Sequence, residues 1–173
     1  PFAPATNNPA VGGTAIVAVW DDPNDDGDPT DAVLVQQQNV TINSPGTDTL
    51  ETTLLSPPVA MTGVFFIGAV YTTPATTGLN NAPFPRDNDS CGYAVRRSWL
   101  AINQATTFSL TNLASNSVPP VRMELSGLDA LTLRGNFLLR ADCQQPNPGT
   151  PFCAADGLDP NVTYAVSIAA LND

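Results

Sequence analysis

The run Val64-Phe65-Phe66-Ile67-Gly68-Ala69-Val70-Tyr71 limits what this chain can fold into more than any other stretch. Consecutive apolar residues, rich in β-branched and aromatic side chains and without alternation, read as a central strand buried on both faces. Such a strand needs cover above and below and a neighbour on each side. The chain supplies strands for this purpose rather than helices. No segment carries a sustained 3.6-residue apolar period, and 17 prolines and 12 glycines punctuate the sequence.

In order, the strand expectations are Thr14 to Trp20, Asp31 to Ile42, a Thr-rich Thr49 to Leu55, and the central run within Val59 to Thr73. Gly92 to Ile102, Thr106 to Leu113, Val121 to Leu125, Leu131 to Leu133 and Asn136 to Ala141 follow. The last is Val162 to Leu171, in which Val162, Tyr164, Val166 and Ile168 share one face. Single helical turns are expected at most at Leu110 to Ala114 or Gly127 to Leu133. About nine short strands predict an all-β fold, an antiparallel β-sandwich of jelly-roll-like or immunoglobulin-like type. A chain of 173 residues fits one such domain, 1–173, with an extended N-terminal arm (1–11) and a C-terminal loop plus strand (142–173).

Between the first two strands lies Asp21-Asp22-Pro23-Asn24-Asp25-Asp26-Gly27-Asp28-Pro29-Thr30-Asp31. Counting Asp22 as position 1 puts Asn24 at 3, Asp26 at 5, Gly27 at 6 and Asp28 at 7. That order resembles the first half of the calcium loops of EF-hands and dockerins, in which alternate oxygens converge on a hard cation and glycine makes the sharp turn. Position 12 is Val33 where a bidentate Glu belongs, so Asp31 is the substitute only if the loop closes differently. Asp22, Asn24, Asp26, Asp28 and Asp31 are the candidate Ca2+ ligands. The competing reading is a solvated turn, which these residue types favour anyway.

The wider order of features resembles β-sandwich modules of secreted multidomain bacterial proteins. It is carried by Trp20 and the aspartate loop through Ala32, by Gly63-Val64-Phe65-Phe66-Ile67-Gly68, by Arg97-Ser98-Trp99 and by Gly135-Asn136-Phe137-Leu138-Leu139-Arg140-Ala141. The resemblance covers roughly residues 12–141 and implies a non-catalytic extracellular module. The two flanks, 1–11 and 142–173, are additions outside it.

Composition narrows the function further. The net charge is −10, and all six cations are arginines, with no Lys and no His. An acidic chain without a basic patch argues against nucleic acid and anionic membrane surfaces as partners. No apolar run approaches the roughly 20 residues that span a bilayer. Without His or Lys there is no Ser-His-Asp or Cys-His unit, no imidazole metal site and no Schiff base, so the chain is read as no enzyme. Glu51 and Glu124 have nothing around them in sequence that suggests a glycosidase pair.

Cys143 and Cys153 enclose a Pro/Gln/Gly-rich loop, natural geometry for a short disulfide worth about 2–3 kcal/mol; Cys91 is then the odd cysteine, either buried and inert, paired with one of the other two, or cross-linked to another chain. A disulfide in a low-Lys, Thr/Asn/Pro-rich chain favours an extracellular or cell-surface location. Three N-glycosylation sequons begin at Asn39, Asn88 and Asn161.

The termini give the functional expectation. The Pro-rich arm carrying Phe2 is ordered only when docked. The last strand, with Val162, Tyr164, Val166 and Ile168, either closes its own sheet or is donated to the edge of a neighbour. Two adhesive ends on a rigid acidic sandwich describe a structural or adhesive protein, a self-assembling homo-oligomer or polymer of the cell-surface or pilus-like filament kind. The alternative is a calcium-stabilised carbohydrate-binding module, with a glycan stacked on some of Trp20, Tyr71, Tyr93, Trp99 and Tyr164.

Overall fold

A computed structural model of the chain describes residues 11–45, 49, 51–72, 86–87, 98–103, 107–122, 136–137, 139, 141 and 165–172. The strands are β1 (Thr14–Asp21), β2 (Val33–Thr41), β3 (Phe65–Thr72), β4 (Arg86–Asp87), β5 (Ser98–Asn103), β6 (Val118–Arg122), β7 (Asn136–Phe137) and β8 (Ala165–Asn172). Two 3-10 turns, Pro29–Asp31 and Leu113–Ser115, are the only helical elements among the described residues. The described residues are mostly strand and carry no α-helix, consistent with the all-β fold that the residue pattern predicts.

Six strands form one sheet in the order β2-β1-β3-β8-β5-β6, and β4 pairs with β7 in a second, two-stranded ladder. Antiparallel pairing holds for β1/β2, β1/β3, β5/β6 and β4/β7. It does not hold for β8, which runs parallel to both β3 and β5. The large sheet is therefore mixed, because the last strand enters a gap between two strands that already run the same way. Pro119 and Pro120 lie in β6, at the edge of the sheet and at the register irregularity between its Val118 and Val121 pairings, the places where a strand tolerates proline.

Both faces of the sheet are covered, as the unalternating run in β3 requires: Phe65 through Tyr71 are all buried. On the front face Ala18, Trp20, Phe66, Val70, Trp99 and Ala101 pack under Phe108 and Leu113. The fully buried Trp20 donates from Nε1 to the Leu110 carbonyl at 2.7 Å, which fastens this cover to β1. Arg122 lies over the Trp99 ring at 5.4 Å. On the back face Val19, Phe65 and Ile67 meet Leu55 and Met61, while Ala69, Tyr71 and Leu100 meet Val40, Ile42 and Leu139. Burial raises the Tyr71 phenol pKa above its ordinary value.

Two expected strands are absent. Residues 51–55 form no ladder and instead bond through side chains: Gln38 donates to the Leu54 carbonyl (3.2 Å) and accepts from the Ser56 N–H (3.0 Å). Residues 107–112 likewise leave the sheet. The buried Asn116 side chain accepts from the Ser109 N–H (2.8 Å) and donates to the Ser109 and Leu113 carbonyls (3.1 and 3.0 Å), taking the backbone bonds that a neighbouring strand would otherwise use.

The C-terminal strand is present, and its partner is its own chain. Val166 is in register with Phe66 and Ile168 with Gly68, so neither lies at a free edge of the single chain. Phe2, Val162 and Tyr164, the cysteines Cys91, Cys143 and Cys153, Tyr93, Glu124 and the sequons at Asn88 and Asn161 lie outside the described residues.

Trp20→Phe tests the front cover. It leaves the half-buried Leu110 carbonyl without its donor and opens a small cavity, and we expect a loss of roughly 2–4 kcal/mol in urea unfolding.

Candidate metal site

The aspartate loop is built from the end of β1 by a series of short side-chain-to-backbone bonds. Asn24 Oδ1 accepts from the Asp26 N–H (3.1 Å), Asp26 Oδ1 from Asp28 (2.7 Å) and Asp28 Oδ1 from Thr30 (2.9 Å). Each link spans two residues, the reach that makes Asn and Asp turn formers. Asp25 adopts φ 56° and Gly27 φ 77°, which reverse the chain. Pro29 opens the 3-10 turn with Asp28 as its cap, and that turn brings Asp31 back toward the start of the loop.

The result gathers three of the five expected ligands. One carboxylate oxygen from each of Asp22, Asp26 and Asp31 lies within 4.8 Å of the others. Oxygens on opposite sides of a calcium ion at its usual 2.3–2.6 Å stand about 4.6–5.2 Å apart, so the spacing suits that cation. Asn24 is also present, but turns its amide nitrogen inward and donates to Asp26 Oδ2 and Asp31 Oδ2, each at 3.0 Å. In this arrangement the amide holds together two carboxylates that would otherwise repel. Asp28 is spent on the cap and points its bonded oxygen at Thr30.

Asp22 is the unusual member. It is 3% exposed, and its Oδ2 accepts the Gly27 N–H at 2.7 Å. Its other oxygen, Oδ1, is buried with no hydrogen-bond partner. A buried carboxylate oxygen without a donor is costly unless a cation or proton serves it. Every other aspartate from Asp25 to Asp31 has its carboxylate engaged by a donor within the loop or beside it.

Sequence reasoning missed the residues that attach the loop to the sheet. Asp25 falls between the calcium-type positions, yet its Oδ1 accepts the Val64 N–H at 2.6 Å. The Asp22 N–H donates to the Val64 carbonyl at 3.1 Å, so both backbone polar groups of Val64 face the loop. Gly63 makes the approach possible. It sits at φ 75°, and a Cβ there would lie 2.5 Å from Asp25 Oδ1. A doubled Asp-Asp at 25–26 was the only signal in the sequence, since adjacent side chains in a turn must point to different places.

The other candidate functions gain less. Trp20, Tyr71 and Trp99 are buried, at 0%, 7% and 6% exposure, so a sugar-stacking surface cannot use them. Glu51 caps a turn: its carboxylate accepts from the Asn43 N–H (3.1 Å) and the Ser44 N–H (2.7 Å). A polar groove of about 490 Å³ lies beside it, between Gln38–Thr41 and Glu51–Thr53.

Gly63→Ala should destabilise the chain by roughly 1–3 kcal/mol, because a left-handed backbone position and a blocked Asp25 contact are lost together. Chemical denaturation measures it. Comparison with protein-family models, with curated proteins and with solved structures finds no match for this chain.

Proposed function

We propose that the chain is a non-catalytic extracellular structural or adhesive protein, a β-sandwich subunit of a self-assembling cell-surface or filament array, with Ca2+ held in its aspartate loop. The sandwich reading draws on the β4/β7 ladder together with Leu139, two residues beyond β7, which packs on the back face of the large sheet. The absence of His and Lys from the whole chain supports a role without catalysis.

The observation that carries the assembly reading is the place of β8. It is the last strand, it bonds to β3 on one side and β5 on the other, and those two do not bond to each other. Self-pairing removes the simplest version of the idea, a tail permanently free for a neighbour. It leaves exchange: the slot requires an eight-residue parallel strand, and a second copy carries the same strand. Removing residues 162–173 should leave a chain that is unstable or aggregated alone and is restored by the 162–173 peptide added in trans. Native protein should form oligomers or long polymers by light scattering and electron microscopy. A strictly monomeric native protein at high concentration, together with no rescue by the peptide, would sink this reading.

The calcium assignment rests on Asp22 Oδ1, buried and unpartnered beside Asp26 and Asp31. With ligand at 100 times Kd, binding to the folded state alone adds about 2.7 kcal/mol, or roughly 5–10 °C in Tm for a domain of this size. Calcium should raise the melting temperature and chelator reverse it, whereas Asp22→Asn should melt alike in both. Equal melting of native protein with calcium and with chelator leaves the loop a turn. The carbohydrate-binding alternative is favoured only by the polar groove beside β2, whose amide and hydroxyl side chains suit sugar hydroxyls.

A further inference from the structure

We infer that cation binding in the aspartate loop acts as a latch on the β3–β8 junction and so governs how firmly the last strand is held. This rests on the calcium reading above and adds to it a mechanical consequence for the sheet.

The path is short and made of named bonds. A cation gathering Asp22, Asp26 and Asp31 fixes the turn in which Asp25 sits at φ 56°. Asp25 then grips the Val64 N–H at 2.6 Å, and Asp22 grips the Val64 carbonyl with its own N–H at 3.1 Å. The next residue, Phe65, begins β3 and is in register with Ala165, the first residue of β8. The same Phe65 is in register with Asp21 on its other side, so the loop, β3 and β8 meet at one end of the sheet.

Without a cation, three carboxylate oxygens within 4.8 Å repel, and donors within the loop, the Asn24 amide among them, offset this only in part. The Asp22 oxygen buried without a partner then favours opening of the turn, which would bring it a water donor. Opening withdraws Asp25 and frees the N–H and the carbonyl of Val64, so β3 frays from its first residue and the start of β8 frays with it. Local opening of this kind is read by amide exchange.

Asp25 is a positioning residue and not a cation ligand, which allows the test to separate binding from transmission. Asp25→Gly keeps the left-handed backbone but loses the acceptor. Asp25→Asn keeps both an acceptor and a residue tolerant of that backbone. The two variants lose the same charge, so a difference between them reports the grip alone. Full-length native protein and both variants are titrated with calcium by calorimetry, and hydrogen exchange is followed by mass spectrometry with calcium and with chelator. In native protein and Asp25→Asn, calcium should slow exchange at least tenfold both at the start of β3 and at Ala165 to Ser167. Asp25→Gly should bind calcium within about threefold of Asp25→Asn and show less than a twofold slowing at Ala165 to Ser167. Calcium binding to native protein with unchanged exchange at Ala165 to Ser167 overturns the latch while leaving the calcium reading intact. Equal slowing in Asp25→Gly overturns it too. No heat of calcium binding in native protein overturns the calcium reading itself.

Discussion

Strands β3 and β5 run in the same direction one strand apart, and the sheet is continuous only while a parallel strand fills the gap between them. Much else depends on that constraint. Without β8 the sheet divides into β2-β1-β3 and β5-β6, and the inward edges of the most apolar strand and of its counterpart are left with unpaired backbone groups. The strand that satisfies them comes after both of its neighbours in the sequence, and Phe65 and Ala165 pair across 100 residues of chain (165 less 65). Closing so long a loop is slow compared with the local hairpin of β1 and β2, and an open slot is adhesive while it waits. The burial of β3 and the proposed exchange of β8 thus follow from one topological fact.

Charge in this protein is placed where it leaves that sheet undisturbed. The strands β1, β2, β3, β5 and β8 contain no side chain charged at neutral pH except Asp21 at the end of β1. Six aspartates sit instead between positions 21 and 31, at the end of the sheet where β3 begins. Most of them have local work. Asp26 and Asp28 hold successive backbone N–H groups, Asp25 holds β3, and Asp31 shares the Asn24 amide with Asp26. The loop's internal bonds account for its shape, and they leave one Asp22 oxygen unserved, the observation on which the proposed cation rests.

The elements that were legible in sequence are those whose identity is set by local pattern. Thr14 to Trp20, the Val64 to Tyr71 run and the C-terminal alternation all appear as strands, because β-branched and aromatic residues between Pro and Gly breakers decide the matter locally. The failures share a cause. Thr49 to Leu55 and Thr106 to Leu113 have strand composition but lie where Gln38, Glu51 and Asn116 supply hydrogen bonds from side chains, and those partners are distant or are not visible as partners in a linear reading. The parallel insertion of β8 was equally invisible, since an alternating strand says which faces it has and nothing of the direction of its neighbours.

The departure from the EF-hand pattern at Val33 has a structural reason. Val33 is the first residue of β2 and is in register with Asp21, so a glutamate there would be held in the ladder instead of folding back over the loop. The 3-10 turn at Pro29–Asp31 solves this by turning the chain early, and Asp31 joins Asp22 and Asp26 from two residues before the strand. A loop that must also hand the chain straight into a sheet cannot use the long helical exit of an EF-hand. It closes with a nearer carboxylate and gives its middle aspartate, Asp25, to the neighbouring strand. In this fold the groups that gather the acidic cluster and the groups that hold β3 alternate along the same few residues, and a change in one set is felt by the other.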